Sequence, residues 1–238
     1  MPIDPSPRVF GSERETRQES YNPFYDKSMP REQLMNFFPG WVSSYYAHSP
    51  RMIETFYDQT RAGLCTGFAR TPIANPPPHQ TPSLTRMSEE EAARIVSADV
   101  IPRSHAPQEF FDVEVYADNM RKALCDASIW PNLRVALLWC DMSVSATLLS
   151  AWGILEKYRD AWPVNGRRIN AIRMKNANHF VCPRWDLLRR YVLTLRCQPH
   201  WDQPECTMQL LARVLWSETI PEIVEVCAYT RDGIRPRL

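Results

Sequence analysis

The run from Leu133 to Met174 constrains the fold most, because it predicts a strand, a helix and a second strand in succession. Leu133–Trp139 is apolar without polar alternation, which is typical of a strand buried on both faces. Val144–Tyr158 carries apolar side chains at helical spacing, and Arg168–Met174 is the second predicted strand. A further helix is predicted over Pro204–Trp216. This order indicates a parallel sheet with a right-handed crossover, and therefore an α/β fold.

The chain divides into three regions by composition. Residues 1–30 are rich in Pro, Ser, Arg and Glu and are expected to be disordered. Residues 31–130 place aromatic and apolar residues at roughly helical spacing, interrupted by a proline-rich loop over Thr71–Leu84. This second region is predicted to be helical and irregular. The α/β region follows over residues 131–238.

Two helices of the second region have clear signals. Ser88–Glu91 matches a capping box, in which the serine hydroxyl and the glutamate carboxylate satisfy backbone amides at a helix start. Val113–Cys125 carries Tyr116, Met120 and Leu124 on one stripe and is predicted as another helix.

Charge and hydropathy exclude two classes of partner. With 28 Lys and Arg against 27 Asp and Glu, the formal net charge is +1, so neither nucleic acid nor anionic lipid is expected to be attracted. Val135–Leu155 is apolar enough to raise the question of a membrane span. Asp141 lies in its first half, however, and the pattern changes to helical spacing near Met142. Strand, turn and helix is therefore the better interpretation, and no membrane span is expected.

Cysteine usage favours a reducing compartment. The seven cysteines are an odd number without a C-x-x-C pair, and the N-terminus shows no secretory leader. The cytoplasm is thus the expected location, with Pro236-Arg237-Leu238 as a weak variant of a peroxisomal address. Four residues offer ligand types suited to zinc: Cys182, Cys197, His200 and Cys206. Their spacing lacks the tight first pair of common zinc modules, so no metal and no cofactor is predicted.

The segment after the second strand carries the most specific motif. Asn178–Phe180 reads NHF, and residues 199–204 read PHWDQP. With Val181–Gln198 left out, the two join as NHFPHWDQP. This resembles the catalytic-histidine segment of fungal-type α/β hydrolases, in which a histidine after the last strand precedes an acidic-x-proline turn. The resemblance covers the C-terminal part of that fold, and residues 31–130 resemble its helical cap in general character.

The resemblance implies a fold, a reaction and two site residues. The fold would be an incomplete α/β-hydrolase-like three-layer sandwich, comprising its last two strands and flanking helices, preceded by the cap. The parent activity would be hydrolysis of an ester-, amide- or thioester-type acyl bond in a small hydrophobic substrate. His179 would be the general base, and Asp141 the acid that orients it. Asp202 and Pro204 would occupy the acidic-x-proline positions. An aspartate at a strand-to-helix turn also acts as a helix cap or turn residue, and this alternative for Asp141 stays open.

One part of such an enzyme is expected to be missing. The chain contains no G-x-S-x-G, the sharp strand-to-helix turn that exposes a nucleophilic serine. The nearest match is Gly63–Gly67, GLCTG, with Cys65 at the nucleophile position. The residues before it, Tyr57–Ala62, are mostly polar and cannot form the buried strand that the turn requires. We interpret the match as fortuitous. The chain is therefore expected to be inactive, and a non-catalytic fragment or binding protein is the alternative.

The stretch Val181–Gln198 interrupts the motif. Every valine codon begins with GT and one glutamine codon is CAG, so the stretch has the coding possibilities of a short retained intron. A true insertion forming one more amphipathic helix is the alternative. His48, in the cap-like region, is expected to be a capping or partly buried side chain.

Overall fold

The structure is a computed structural model, and most of the predicted helices and strands lie within the residues that it describes. The described residues are 11, 19–23, 26–91, 112–133, 135–161, 163–164, 166–167, 169–178 and 223–227. The predicted helix Pro204–Trp216, the expected disorder of most of residues 1–30, and the stretch Val181–Gln198 lie outside them.

Short helices precede the sheet along the chain. They are α1 (Arg31–Val42), α2 (Pro50–Glu54), α3 (Arg61–Gly67) and α4 (Val113–Cys125), with 3-10 turns at Phe56–Asp58, Pro78–Gln80 and Ser83–Thr85. The β-α-β part comprises β1 (Val135–Cys140), α5 (Ser145–Ala161) and β2 (Ile169–Lys175), and a third strand, β3, spans Ile223–Cys227. α4 has the predicted bounds, and β1, α5 and β2 lie within a few residues of theirs.

Side-chain caps explain where several helices begin. The Thr60 hydroxyl accepts a hydrogen bond from the Gly63 amide at 3.1 Å, and α3 starts at the next residue after Thr60. The predicted capping box is confirmed: the Ser88 hydroxyl accepts from the Glu91 amide at 3.2 Å, and Glu91 Oε2 accepts from the Ser88 amide at 3.0 Å. Local sequence therefore fixes these helix starts without help from distant parts of the chain.

The strands form a parallel sheet in the order β1-β2-β3. Val135 is in register with Ile169 and Cys140 with Met174, so β1 and β2 end together. The parallel strand-helix-strand order is as the sequence predicts. The prediction that Arg168–Met174 is the last strand is wrong, because β3 pairs with the far side of β2. β3 was not predicted: it has only five residues, with a glutamate at its centre.

The main core joins the helical region to the sheet. Its buried members come from α2, the 3-10 turn Phe56–Asp58, α3, β1 and α5, and include Met52, Ile53, Phe56, Leu64, Trp139, Leu148, Leu149 and Trp152. Phe56 stacks on Trp139 with ring centroids 4.1 Å apart. The Trp152 indole donates a hydrogen bond to the Gln59 carbonyl at 3.0 Å. The two regions that differ in sequence character thus share one core.

No helix within the described ranges has both the length and the apolar character needed to span a bilayer.

Replacing Phe56 by alanine tests the shared core. Phe56 is fully buried, so its truncation should lower the free energy of unfolding by about 3–5 kcal/mol. Urea unfolding followed by tryptophan fluorescence measures this. Phe37→Ala, at a position 40 % exposed, is the control and should change stability by less than about 0.5 kcal/mol. Two separate unfolding transitions in the Phe56→Ala protein would show that the helical region and the sheet are not one unit.

Candidate functional site

The carboxyl edge of the sheet is where the candidate residues meet. In open parallel sheets, ligands bind outside the carboxyl ends of the strands, where the loops that follow them converge. Here the Asp141 amide donates to the Met174 carbonyl at 3.2 Å, and the Met142 amide donates to the Ala177 carbonyl at 2.8 Å. The loop after β1 and the segment after β2 are therefore bound directly to each other.

Asp141 and Arg173 form a buried ion pair at this edge. Arg173 donates to Asp141 Oδ2 from Nε at 3.1 Å and from Nη2 at 3.0 Å. The two side chains are only 11 % and 8 % exposed for Arg173 and Asp141. Arg173 also lies over the Trp139 ring, 5.8 Å from its centroid. Two strands thus supply the opposite charges: Arg173 lies in β2, and Asp141 directly follows β1.

The electrostatics of Asp141 combine opposing effects. Burial raises the pKa of the Asp141 carboxyl above its ordinary value, while the hydrogen bond and charge of Arg173 lower it. The backbone amides of Ala177 and Asn176 also lower this pKa. Asp141 Oδ1 has no hydrogen-bond partner among the described residues. Burial is the largest of these effects, so Asp141 is held by Arg173 at a considerable desolvation cost.

A segment of the helical region lies across this edge. We call residues 43–49 the edge strap. The Tyr46 amide donates to the Met142 carbonyl at 3.0 Å, which attaches the strap to the β1–α5 loop. The Asn178 side-chain amide, fully buried, donates to the Ser43 carbonyl at 2.7 Å, which attaches it to the segment after β2. The chain itself therefore occupies the position at which parallel sheets usually bind ligands.

His48 makes the third attachment of the strap. Its Nδ1 accepts a hydrogen bond from the Ala69 amide at 3.0 Å, so in the neutral ring the proton resides on Nε2. Nε2 then donates to the Ser143 carbonyl at 2.7 Å. The ring stacks against Tyr46 and meets Phe68 edge-on, at centroid distances of 6.1 and 5.7 Å. Burial lowers the pKa of His48. Because both ring nitrogens bond to backbone groups, His48 is placed for structure and not for proton transfer.

The cysteine of the GLCTG match lies within a helix. Gly63–Gly67 belongs to α3, so no strand-to-helix turn presents Cys65. Burial and the nearby charge of Glu19 raise the pKa of the Cys65 thiol, which disfavours the nucleophilic thiolate. Packing explains why residue 67 is a glycine, because a Cβ there would lie 2.6 Å from Met52 Cβ. These findings support the interpretation of the match as fortuitous.

The other predicted site residues have different outcomes. Asp141 lies at the carboxyl edge, as expected. His179 and the acidic-x-proline residues Asp202 and Pro204 lie outside the described residues, as do the four possible zinc ligands. In the part of the chain that the structure describes, no three His, Cys, Asp or Glu side chains cluster in a way that could hold a metal ion.

Sequence reasoning missed Arg173 and the strap. Arg173 is the one charge that interrupts the centre of the otherwise apolar core of β2, and a charge in a buried strand requires a partner. That signal was available. The partners of the strap were not, because the bond between His48 and Ser143 spans 95 residues of sequence.

Comparisons with known proteins add no relative. No protein-family model matches the chain, and neither a curated protein nor a solved structure matches it. The resemblance to α/β hydrolases therefore depends on the motif residues quoted above.

Removing Arg173 tests the ion pair. Arg173→Met leaves the Asp141 charge buried without its partner and should lower the free energy of unfolding by about 3–5 kcal/mol. The double variant Asp141→Asn/Arg173→Met should recover part of this loss. Urea denaturation at pH 7 compares the variants. Arg121→Met, which breaks the exposed Arg121–Asp118 pair, is the control and should leave the midpoint unchanged. An equal loss in the single and double variants would show that the charge of Asp141 is not what matters.

His48 should make stability depend on pH. Its pKa in the folded protein is lowered by burial, so below its ordinary value of about 6.5 the unfolded chain takes up a proton more readily. The stabilisation is complete above that value and is lost as pH falls below it. The difference in unfolding free energy between wild type and His48→Gln, measured by urea denaturation at several pH values, should therefore shrink from pH 8 to pH 5. A difference that stays constant with pH would contradict a buried neutral His48.

Proposed function

We propose that this chain is a non-hydrolytic binding protein built on an α/β-hydrolase-type sheet. The observation that carries the proposal is the engagement of Asp141 by Arg173 through two hydrogen bonds to Oδ2. In a Ser-His-Asp mechanism, the carboxylate must accept the histidine Nδ1 proton and stabilise the imidazolium that forms. A carboxylate already compensated by a guanidinium is poorly suited to that task, because much of its charge is neutralised before any histidine approaches.

The environments of the two candidate nucleophiles, Cys65 and Ser143, also argue against hydrolysis. Cys65 lies within α3, with its pKa raised by burial. Ser143 lies at the carboxyl edge, but it is buried, and its hydroxyl has no hydrogen-bond partner among the described residues. The nearby His48 bonds to the Ser143 carbonyl and not to its hydroxyl. Among the described residues, no histidine bonds to the Ser143 hydroxyl to activate it as a nucleophile.

The occupied carboxyl edge argues against catalysis at that position. Hydrogen bonds from Tyr46, His48 and Asn178 hold the edge strap against the loops where a hydrolase would hold its catalytic groups. On this proposal, a small hydrophobic acyl compound, the substrate class implied by the resemblance, would be bound without being cleaved. In the cap-like region the exposed aromatic side chains of Phe37 and Trp130 offer apolar surface for such a ligand, whereas Trp41, Tyr45, Tyr46 and Phe56 are buried.

Acyl hydrolysis is the second candidate, and one contact favours it. The bond between the Met142 amide and the Ala177 carbonyl places the residues immediately before His179 against the Asp141 loop. His179 would act as general base and Asp141 would orient it. The nucleophile would come from outside the described residues.

Activity measurements separate the two candidates. The purified full chain is incubated with p-nitrophenyl butyrate and with a fluorophosphonate probe that labels activated serines. We expect neither turnover nor labelling. Turnover that falls by about 10⁴-fold in Asp141→Asn, and that also disappears in His179→Gln, would overturn the proposal in favour of hydrolysis. Asp118→Asn, at an exposed position on α4, is the matched control for loss of a carboxylate.

Sequencing the mature transcript addresses the interruption of the motif. If the codons for Val181–Gln198 are absent from it, the motif is continuous in the expressed protein, and the activity assay must be repeated on that product. If they are present, the chain assayed above is the relevant one.

A further inference from the structure

We propose that the edge strap is a latch that opens on mild acidification, with His48 as the group that releases it. Among the described residues, hydrogen bonds through the Tyr46 amide, the His48 ring and the Asn178 side chain hold the strap to the carboxyl edge. The first and third join uncharged amides and carbonyls, which do not titrate near neutral pH. Only the attachment through His48 can change its protonation between pH 5 and pH 8.

The geometry requires His48 to be neutral while the strap is closed. Its Nδ1 is an acceptor for the Ala69 amide at 3.0 Å. A proton added to Nδ1 would face that amide, so two donors would oppose each other and one hydrogen bond would be lost. The new charge would also be enclosed by the rings of Tyr46 and Phe68, at a ring that is only 6 % exposed. Protonation therefore favours any state in which the ring reaches water.

The groups around His48 do not provide a compensating charge. Tyr46 of the strap stacks on the ring, and burial raises its pKa, so it stays uncharged. On its other sides the ring contacts the Ala69 amide and the Ser143 carbonyl. The nearest charged residues in sequence to these two contacts are Arg70, which follows Ala69, and Asp141, two residues before Ser143. Neither Arg70 nor Asp141 contributes to the pKa of His48, whose causes are burial and the bond to Ser143. Asp141 is itself paired with Arg173.

Release of the strap would uncover the carboxyl edge. Tyr45 and Tyr46 are both buried, and the Tyr46 amide bonds to the Met142 carbonyl, two residues after the end of β1. With the strap open, the ends of β1 and β2 would be accessible at the position where parallel sheets bind ligands. The device thus controls access to the edge, whatever chemistry or binding takes place on it.

The linkage between protonation of His48 and opening of the strap sets how strongly pH changes the open population. If the ring has its ordinary pKa of about 6.5 when open and stays neutral when closed, acidification from pH 7 to pH 5 raises the open population by up to about 25-fold.

Hydrogen exchange of the full chain, read by mass spectrometry at pH 7 and pH 5 and corrected for intrinsic rates, tests the latch. Amides in residues 43–49 should be less protected than those of β1 and α5 at both pH values, and their protection should fall by about tenfold or more at pH 5. In His48→Gln, whose side-chain amide supplies one donor and one acceptor without titrating, the fall should disappear. His79→Gln is the matched control, because His79 lies in the exposed turn Pro78–Gln80, and it should behave as wild type.

Three outcomes would overturn the proposal. The first two are a protection of residues 43–49 that stays constant between the two pH values, and a fall in protection that persists in His48→Gln. The third is a protection of residues 43–49 equal to that of β1 and α5 at both pH values, which would show that the strap exchanges by global unfolding and not by local release. If His48→Gln does not fold, the wild-type profile alone decides, through the comparison of the strap with the two core elements.

Discussion

The buried pair of Asp141 and Arg173 is the constraint on which the carboxyl edge depends. A guanidinium in the middle of a buried strand must be compensated, and the compensating carboxylate has to come from the end of the neighbouring strand. This requirement fixes the loop after β1 against β2. The bonds from the Asp141 and Met142 amides to Met174 and Ala177 then hold the two loops together. The position of the strap follows from that arrangement, because the same loop offers the carbonyls to which the strap binds.

The need of buried backbone carbonyls for hydrogen-bond donors explains the position of the strap. The carbonyls of Met142 and Ser143 lie in the loop after β1 and need donors, since an unpaired buried carbonyl is costly. The Tyr46 amide and the His48 ring supply them. Once the strap is attached, α2 and α3 follow it along the chain, and the core around Phe56 and Trp139 can form. The hydrogen bonds at the carboxyl edge and the apolar packing beside it therefore stabilise each other. Together they join the helical region to β1 and α5.

The sequence predicts elements better than it predicts contacts. β1, α4, α5 and β2 have long or strongly periodic patterns, and these were predicted close to their bounds. The polar residues before Gly63 led to the prediction that no buried strand precedes it, and Gly63 indeed lies within the helix α3. β3 was missed because it has only five residues with a glutamate at its centre. The contacts of the site were missed for a different reason: Asp141 and Arg173 are 32 residues apart, and His48 and Ser143 are 95 apart. Periodicity carries no information over such separations.

Whether this edge can do chemistry depends on the second oxygen of Asp141. Oδ2 is held by Arg173, and Oδ1 has no hydrogen-bond partner among the described residues. A catalytic histidine would have to bond to Oδ1, and His179 follows Asn178, whose side chain is anchored to the strap at Ser43. Even with that bond, Arg173 would stabilise the same carboxylate and oppose a positive imidazolium close by. The stabilisation that a triad aspartate gives its histidine would then be reduced. The ion pair thus supports the edge as a structure while weakening it as a catalytic site, and this favours binding over hydrolysis.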